Sequence, residues 1–159
     1  MKRTLFILLF AFIILSCRSE YNPVADEDNV QYTGHEQEVQ EVFELVNQTR
    51  AKINRYPLIL HEKLNAAAAI RAKELSILYH PRHIRPNGTS WYTVSKEVPG
   101  CPEPSAENIA RYQKTPQAVM NDWINSEGHY NNIIASHSYI GIGVYKDSNG
   151  KLYWVQLFR

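Results

Sequence analysis

Cysteine is scarce in this chain: only Cys17 and Cys101 occur in 159 residues. A disulfide scaffold needs several paired cysteines, so a small cross-linked fold is excluded. Cys101 stands between Gly100 and Pro102, where a small residue in an irregular loop is a sufficient reading. An excess of either charge is also missing, with 17 basic side chains against 16 acidic ones. Nucleic acid calls for a basic face, and none is offered, so it is not expected as a partner. The chain has no G-x-S-x-G elbow, no Walker loop and no dinucleotide fingerprint, which removes the commonest routes to serine hydrolases, NTPases and Rossmann oxidoreductases. Its longest apolar run, Leu5 to Leu15, is too short to span a bilayer comfortably as a stable helix.

What that run does is suggested by its flanks. Lys2 and Arg3 precede it and Ile14-Leu15-Ser16-Cys17 ends it. This is the layout of a signal peptide, and the last four residues resemble the bacterial lipobox, whose cysteine is lipidated and becomes the first residue. The expected organisation is a leader over 1–16, a lipidated Cys17 with a polar tether over 17–37, and one domain over 38–159. An ordinary signal peptide or uncleaved anchor is the alternative. Acyl chains add about 0.8 kcal/mol per buried methylene, so several on one cysteine hold a protein firmly to a membrane. The protein would then face the extracytoplasmic side of the cell envelope or the cell surface. Seventeen basic residues less the two in the leader leave 15 against 16 acidic ones, a net of −1.

Along the domain, Val39, Val42, Phe43 and Val46 fall at i, i+3, i+4 and i+7 and predict a first helix to about Ile53. Pro57 breaks the chain. A second helix is expected from Glu62, with Leu64, Ala68, Ala72, Leu75 and Tyr79 on one stripe, ending by Pro81. Residues 92–98 alternate weakly and read as an edge strand, and 99–105, rich in proline, as an irregular loop. Glu107 lies on a further strand. Thr115-Pro116 is a helix start, and that helix ends near Trp123. A turn carrying Glu127 and His129 follows, with a short helical stretch through Asn132 to Ile134. Tyr139 to Lys146 and Lys151 to Phe158 flank Asp147-Ser148-Asn149-Gly150 as a hairpin. Both strands are bulky on both faces, so helices must cover both. The fold class is therefore α/β, a three-layer α-β-α sandwich around a mostly antiparallel sheet.

Several ordered segments carry a resemblance: Leu45-Val46-Asn47-x-x-Arg50, Leu64-x-x-Ala67-Ala68, His83-x-Arg85-Pro86-x-Gly88, Glu107-Asn108-Ile109, Trp123-x-x-Ser126-x-x-His129-x-x-Asn132-Ile133, Ile140-Gly141-Ile142-Gly143-Val144 and Val155-Gln156-Leu157-Phe158. Together they resemble the CAP/SCP superfamily of cysteine-rich secretory proteins, venom antigen 5 and pathogenesis-related proteins, particularly its small bacterial branch. The resemblance implies a cleft in which two histidines and two glutamates meet and a divalent metal, often zinc, is bound by the histidines. It places His83 and His129 as metal ligands and Glu107 as the glutamate behind them. Many members carry the second glutamate where this chain has Ser126, so the fourth position falls either to Glu127, one residue on, or to no carboxylate. Tyr130 replaces the usual bacterial arginine, and Asn87 a common aspartate.

The chemistry is coherent in its own right. Two neutral imidazoles can hold zinc weakly with positions left for water, and a carboxylate on the second ring nitrogen fixes the tautomer. A metal-free His-Glu network is the alternative. His61-Glu62-x-x-Asn65 lacks the second histidine of a zincin and reads as a helix start. The proline between His80 and His83 argues against a helix-borne pair, and His35 and His137 are expected to be solvated. Asn47 and Asn87 head glycosylation sequons without a reason for use. The resemblance implies a surface-anchored binding module for a metal and for a lipid, glycan or protein ligand. The alternative is a metal-dependent hydrolase with Glu107 or Glu127 as general base.

Overall fold

The computed structural model describes residues 34–80 and 83–159. Cys17 and nearly all of the expected tether lie outside the described residues. The elements are α1 (Glu36–Ala51), β1 (Ile59–Leu60), α2 (Glu62–Ile77), a 3-10 helix (Trp91–Glu97), β2 (Ala106–Arg111), α3 (Pro116–Ile124), α4 (Glu127–Ile134), β3 (Tyr139–Lys146) and β4 (Leu152–Phe158). Four strands form one sheet in the order β1-β3-β4-β2. β3 and β2 both run antiparallel to β4, while β1 runs parallel to β3, so the sheet is mixed and mostly antiparallel.

The two faces follow from strand alternation. Ile140, Ile142, Val144, Trp154 and Phe158 turn to one side and pack with Val42 and Val46 of α1, Val119 and Trp123 of α3, and Ile133 of α4. Tyr153, Val155, Leu157 and Ile109 turn to the other, against Leu64, Ala68, Ala72 and Leu75 of α2. Three helices therefore cover one face and α2 covers the other, giving the expected three layers. The alanine run lets α2 approach closely. A Cβ on Gly141 would lie 2.3 Å from the main chain of Leu64, and one on Gly143 would lie 2.1 Å from that of Ala68.

Local chemistry sets the boundaries. His61 is the N-cap of α2 and accepts a weak hydrogen bond from the Leu64 amide at 3.4 Å. Thr115 caps α3 and its hydroxyl accepts from the Ala118 amide at 3.1 Å, with Pro116 first in the helix. Thr115→Ala is expected to lower stability by about 1 kcal/mol. Urea unfolding checks this, and Thr115→Ser should keep the parent midpoint. In the hairpin loop, Asp147 Oδ1 accepts from the amides of Asn149 and Lys151.

Two expectations need correction, and one element has no sequence counterpart. Residues 92–98 are not an edge strand: residues 91–97 form a 3-10 helix. Here Thr93 Oγ1 donates to the Ser90 carbonyl at 2.7 Å and Ser95 Oγ to that of Tyr92 at 2.9 Å, so hydroxyls stabilise tight turns over an extended chain. Glu127 and His129 do not lie in a turn, because α4 begins at Glu127 itself. β1, only two residues after Pro57, has no counterpart in the sequence reading. Its entry is fixed by Asn47, whose side chain donates to the Leu58 carbonyl at 3.1 Å and accepts from the Leu58 amide at 2.8 Å.

Candidate functional site

The cleft residues converge on β2, an edge strand of the sheet. Neighbouring residues on a strand face opposite ways, and β2 uses this to hold both layers. Glu107 pairs with Leu157 on the α2 side, while Asn108 pairs with Gln156 on the α3–α4 side.

On the α2 side, both oxygens of Glu107 are engaged. Arg71 Nε donates to Oε1 at 2.9 Å, and His83 Nδ1 donates to Oε2 at 2.6 Å. The Arg71 and Glu107 side chains are 0% and 1% exposed, so this is a desolvated ion pair, while His83 keeps part of its ring in solvent. Arg71 also lies 3.4 Å from Glu74, and Glu74 and Glu97 both bind Arg85, which ties the His83 loop to α2 and the 3-10 helix. His83 itself adopts a left-handed backbone at φ 58°, which is uncommon for a residue other than glycine. Beside this group, the Arg111 guanidinium lies 4.2 Å over the Tyr79 ring. Burial raises the pKa of the Tyr79 phenol, the Glu107 charge adds to this, and Arg111 opposes it.

On the other side, Asn108 Nδ2 donates to the His129 carbonyl at 3.0 Å and to Gln156 Oε1 at 2.9 Å. Asn132, one turn after His129, donates to Asn108 Oδ1 at 2.8 Å and to the Glu107 carbonyl at 3.3 Å. The first turns of α4 are thereby bound to β2, and His129 with them. The His129 imidazole is held below the ordinary histidine range, chiefly by burial and then by the neighbouring charge of His83. The two rings thus come from opposite layers and are close enough to interact electrostatically.

Glu127 is exposed in the first turn of α4, where a negative charge suits the helix N-terminus. Its side chain makes no hydrogen bond or ion pair among the described residues, and Ser126 is the N-cap without a side-chain bond. Cys101 is half-buried and free, and its thiol contacts the Lys63 carbonyl at 3.3 Å. His35 and His137 are not simply solvated. His35 Nδ1 lies 3.2 Å from Glu38 at the start of α1, and His137 stacks on Phe158 with ring centroids 5.2 Å apart. Arg71 is the site residue that periodicity alone conceals. It lies seven residues after Leu64 and four before Leu75, and a cation on an apolar stripe signals a buried partner.

The donors suit a borderline cation such as zinc. Glu107 occupies Nδ1 of His83 and leaves Nε2 available, and a lowered pKa keeps His129 neutral, the form that ligates metal. Among the described residues no group of three or more His, Cys, Asp or Glu is arranged to hold an ion, so an ion here would rely on the two imidazoles and water. A separate cavity of 520 Å³ between α2 and β3, bordered by Ala66, Ile70, Val98 and Tyr145, does not include His83, Glu107 or His129. Among the described residues no helix is long and apolar enough to cross a membrane.

Comparison with known proteins agrees with this architecture. The family model for the cysteine-rich secretory protein family, CAP, matches residues 43–158. The uncharacterized protein YkwD of Bacillus subtilis is 34% identical over 118 residues, covering 74% of this chain and 45% of that protein. The chain therefore spans less than half the length of that curated relative. An extracellular SCP-domain protein of Bacillus anthracis superposes with a TM-score of 0.68 at 23% identity, over 77% of this chain and 40% of that one. An outer surface protein of Borrelia burgdorferi gives a TM-score of 0.65 at 19% identity, over 78% of this chain and 92% of that one. At such identities the structural likeness concerns the fold. Taken with the match over residues 43–158, these observations place the chain in the cysteine-rich secretory protein (CAP) family.

Proposed function

We propose that this chain is an extracytoplasmic binding module, anchored to a membrane through Cys17. Its cleft takes up a divalent cation such as zinc on His83 and His129. The observation that carries this reading is the ordered series His83–Glu107–Arg71. A buried carboxylate, pinned by a buried guanidinium, fixes one tautomer of a half-exposed imidazole. The surface location draws support from the extracellular and outer-surface names of the two structural neighbours. A bound cation would offer open positions to a polar group of a lipid, glycan or protein ligand. The chain's own part is to orient both imidazoles and to keep His129 unprotonated. With both oxygens of Glu107 engaged, an orienting role suits it better than that of a general base, and the hydrolase reading has no comparable support.

Calorimetric titration of the full chain in nonionic detergent with zinc tests the proposal. Saturable binding is expected near neutral pH, lost in His83→Ala and in His129→Ala and weakening on acidification as protons compete for the rings. No heat of binding in the parent protein, or binding that survives both substitutions, would reject it.

A further inference from the structure

The opposite end of α4 from His129 carries a second polar centre. Arg50, in the last turn of α1, is only 2% exposed. Among the described residues its guanidinium is held by main-chain carbonyls alone. Nε donates to Tyr56 at 2.8 Å, and Nη1 donates to Ile133 at 2.6 Å and to Ala135 at 2.9 Å. The last two lie at the C-terminus of α4, where the helix dipole favours a cation. That partial charge is the only compensation, since no carboxylate lies within ion-pair distance of Arg50 among the described residues. Nη2 has no hydrogen-bond partner among them either. Nη2 is not sealed from solvent, so it stands open to an acceptor from outside the chain.

Arg50 borders a cavity of 370 Å³ shared with Arg55, Ser136, His137 and Ser138. Among the described residues no Asp or Glu is in its wall. Tyr56 and Ile59, 90% and 58% exposed, form an apolar lip beside these cations. His137 Nδ1 lies 3.3 Å from Ser105 Oγ, and its Nε2 is buried without a partner among the described residues. The fields agree in sign. Burial and then Arg55 lower the pKa of Arg50, and burial and then Arg50 lower that of His137.

We infer that this cavity binds the oxyanion of a small ligand, a phosphate or carboxylate, on the Arg50 and Arg55 guanidiniums, with the hydroxyls of Ser136 and Ser138 at its border. An anion supplies what the wall lacks: acceptors for the free Nη2 and a counter-charge for two arginines. The apolar lip suits a ligand whose anionic group is attached to an apolar or aromatic body.

The test is nitrogen-15 NMR of the full chain in nonionic detergent. The Arg50 Nε–H, bonded to Tyr56, serves as reporter. Inorganic phosphate, acetate and phenyl phosphate are titrated separately. Saturable millimolar shifts of Arg50 Nε–H and of the Ser136 and Ser138 amides are expected with at least one of them. Preference for phosphate or for acetate identifies the anion, and tighter binding of phenyl phosphate than of phosphate assigns a role to the lip. Arg50→Ala would disturb α4, so the diagnostic variant is Arg55→Ala, whose exposed side chain makes no hydrogen bond among the described residues. Losing one charge-assisted contact should weaken binding about tenfold. His83→Ala should leave it unchanged, which separates this site from the cleft. Absence of saturable shifts with all three anions, or binding indifferent to Arg55→Ala, would overturn the inference.

Discussion

Gly143→Ala is expected to cost about 3 kcal/mol or more, at the upper end for overpacked cores. The added methyl would meet the carbonyl carbon and oxygen of Ala68 at 2.1 and 2.2 Å. Those atoms belong to the main chain of α2, so no rotamer change relieves the clash. The helix must retreat from β3, and with it Leu64, Ala68 and Ala72 lose their packing on the sheet. A domain of this size has about 5–15 kcal/mol in hand, so the urea midpoint should fall steeply or the protein should not fold. Gly128→Ala is the matched control. A methyl there meets nothing within 4 Å, and alanine is the better helix former, so the midpoint should rise slightly. Equal midpoints for Gly143→Ala and the parent would mean that α2 is not seated on the β3 glycines.

Glu107→Gln should destabilise the domain by about 3 kcal/mol, because it removes the charge partner of a fully buried guanidinium. The loss stays at the low end for a broken buried pair because Glu74 remains 3.4 Å from Arg71. The double variant Arg71→Met/Glu107→Gln should recover most of it, since it leaves no buried charge uncompensated. Denaturant unfolding of the two singles and the double closes a thermodynamic cycle. Additive losses would mean that Arg71 and Glu107 do not act as a pair. The double variant also separates fold from function: it should be folded, yet bind zinc more weakly than the parent because His83 has lost its orienting carboxylate.

The sequence reached far into this fold wherever periodicity spanned whole elements. The stripes of α1 and α2 and the β3–β4 hairpin were legible because several residues repeat one pattern, and the Thr115-Pro116 start because a cap and a proline mark it directly. What escaped was short or non-repeating. β1 has two residues, too few to alternate, and its pairing depends on Asn47 from another element. The 3-10 helix hides behind a weak alternation because hydroxyl-to-carbonyl bonds decide its backbone. At the cleft, His83, Glu107 and His129 were named through the family resemblance, and the structure brings them together. Arg71, Asn132 and the Arg85 network were not assigned, since a pairing 36 residues apart in sequence leaves no local trace. Arg50, quoted only as part of a motif, acquires a meaning once Ile133 and Ala135 are seen beside it, 83 and 85 residues away.

The placement of Glu107 and Asn108 back to back on β2 also guards the assembly of the sheet. If β2 slid by one residue against β4, the carboxylate would turn towards the amides of α4 and the amide towards Arg71. Arg71 would then be buried without its anion, and His129 would lose the side chain that holds its carbonyl. Strands that are apolar on both faces can tolerate such a slip, and β4 is apolar except at Gln156, the partner of Asn108. The polar dipeptide cannot, so the residues that build the cleft also act as a registration key that rejects misaligned pairings during folding.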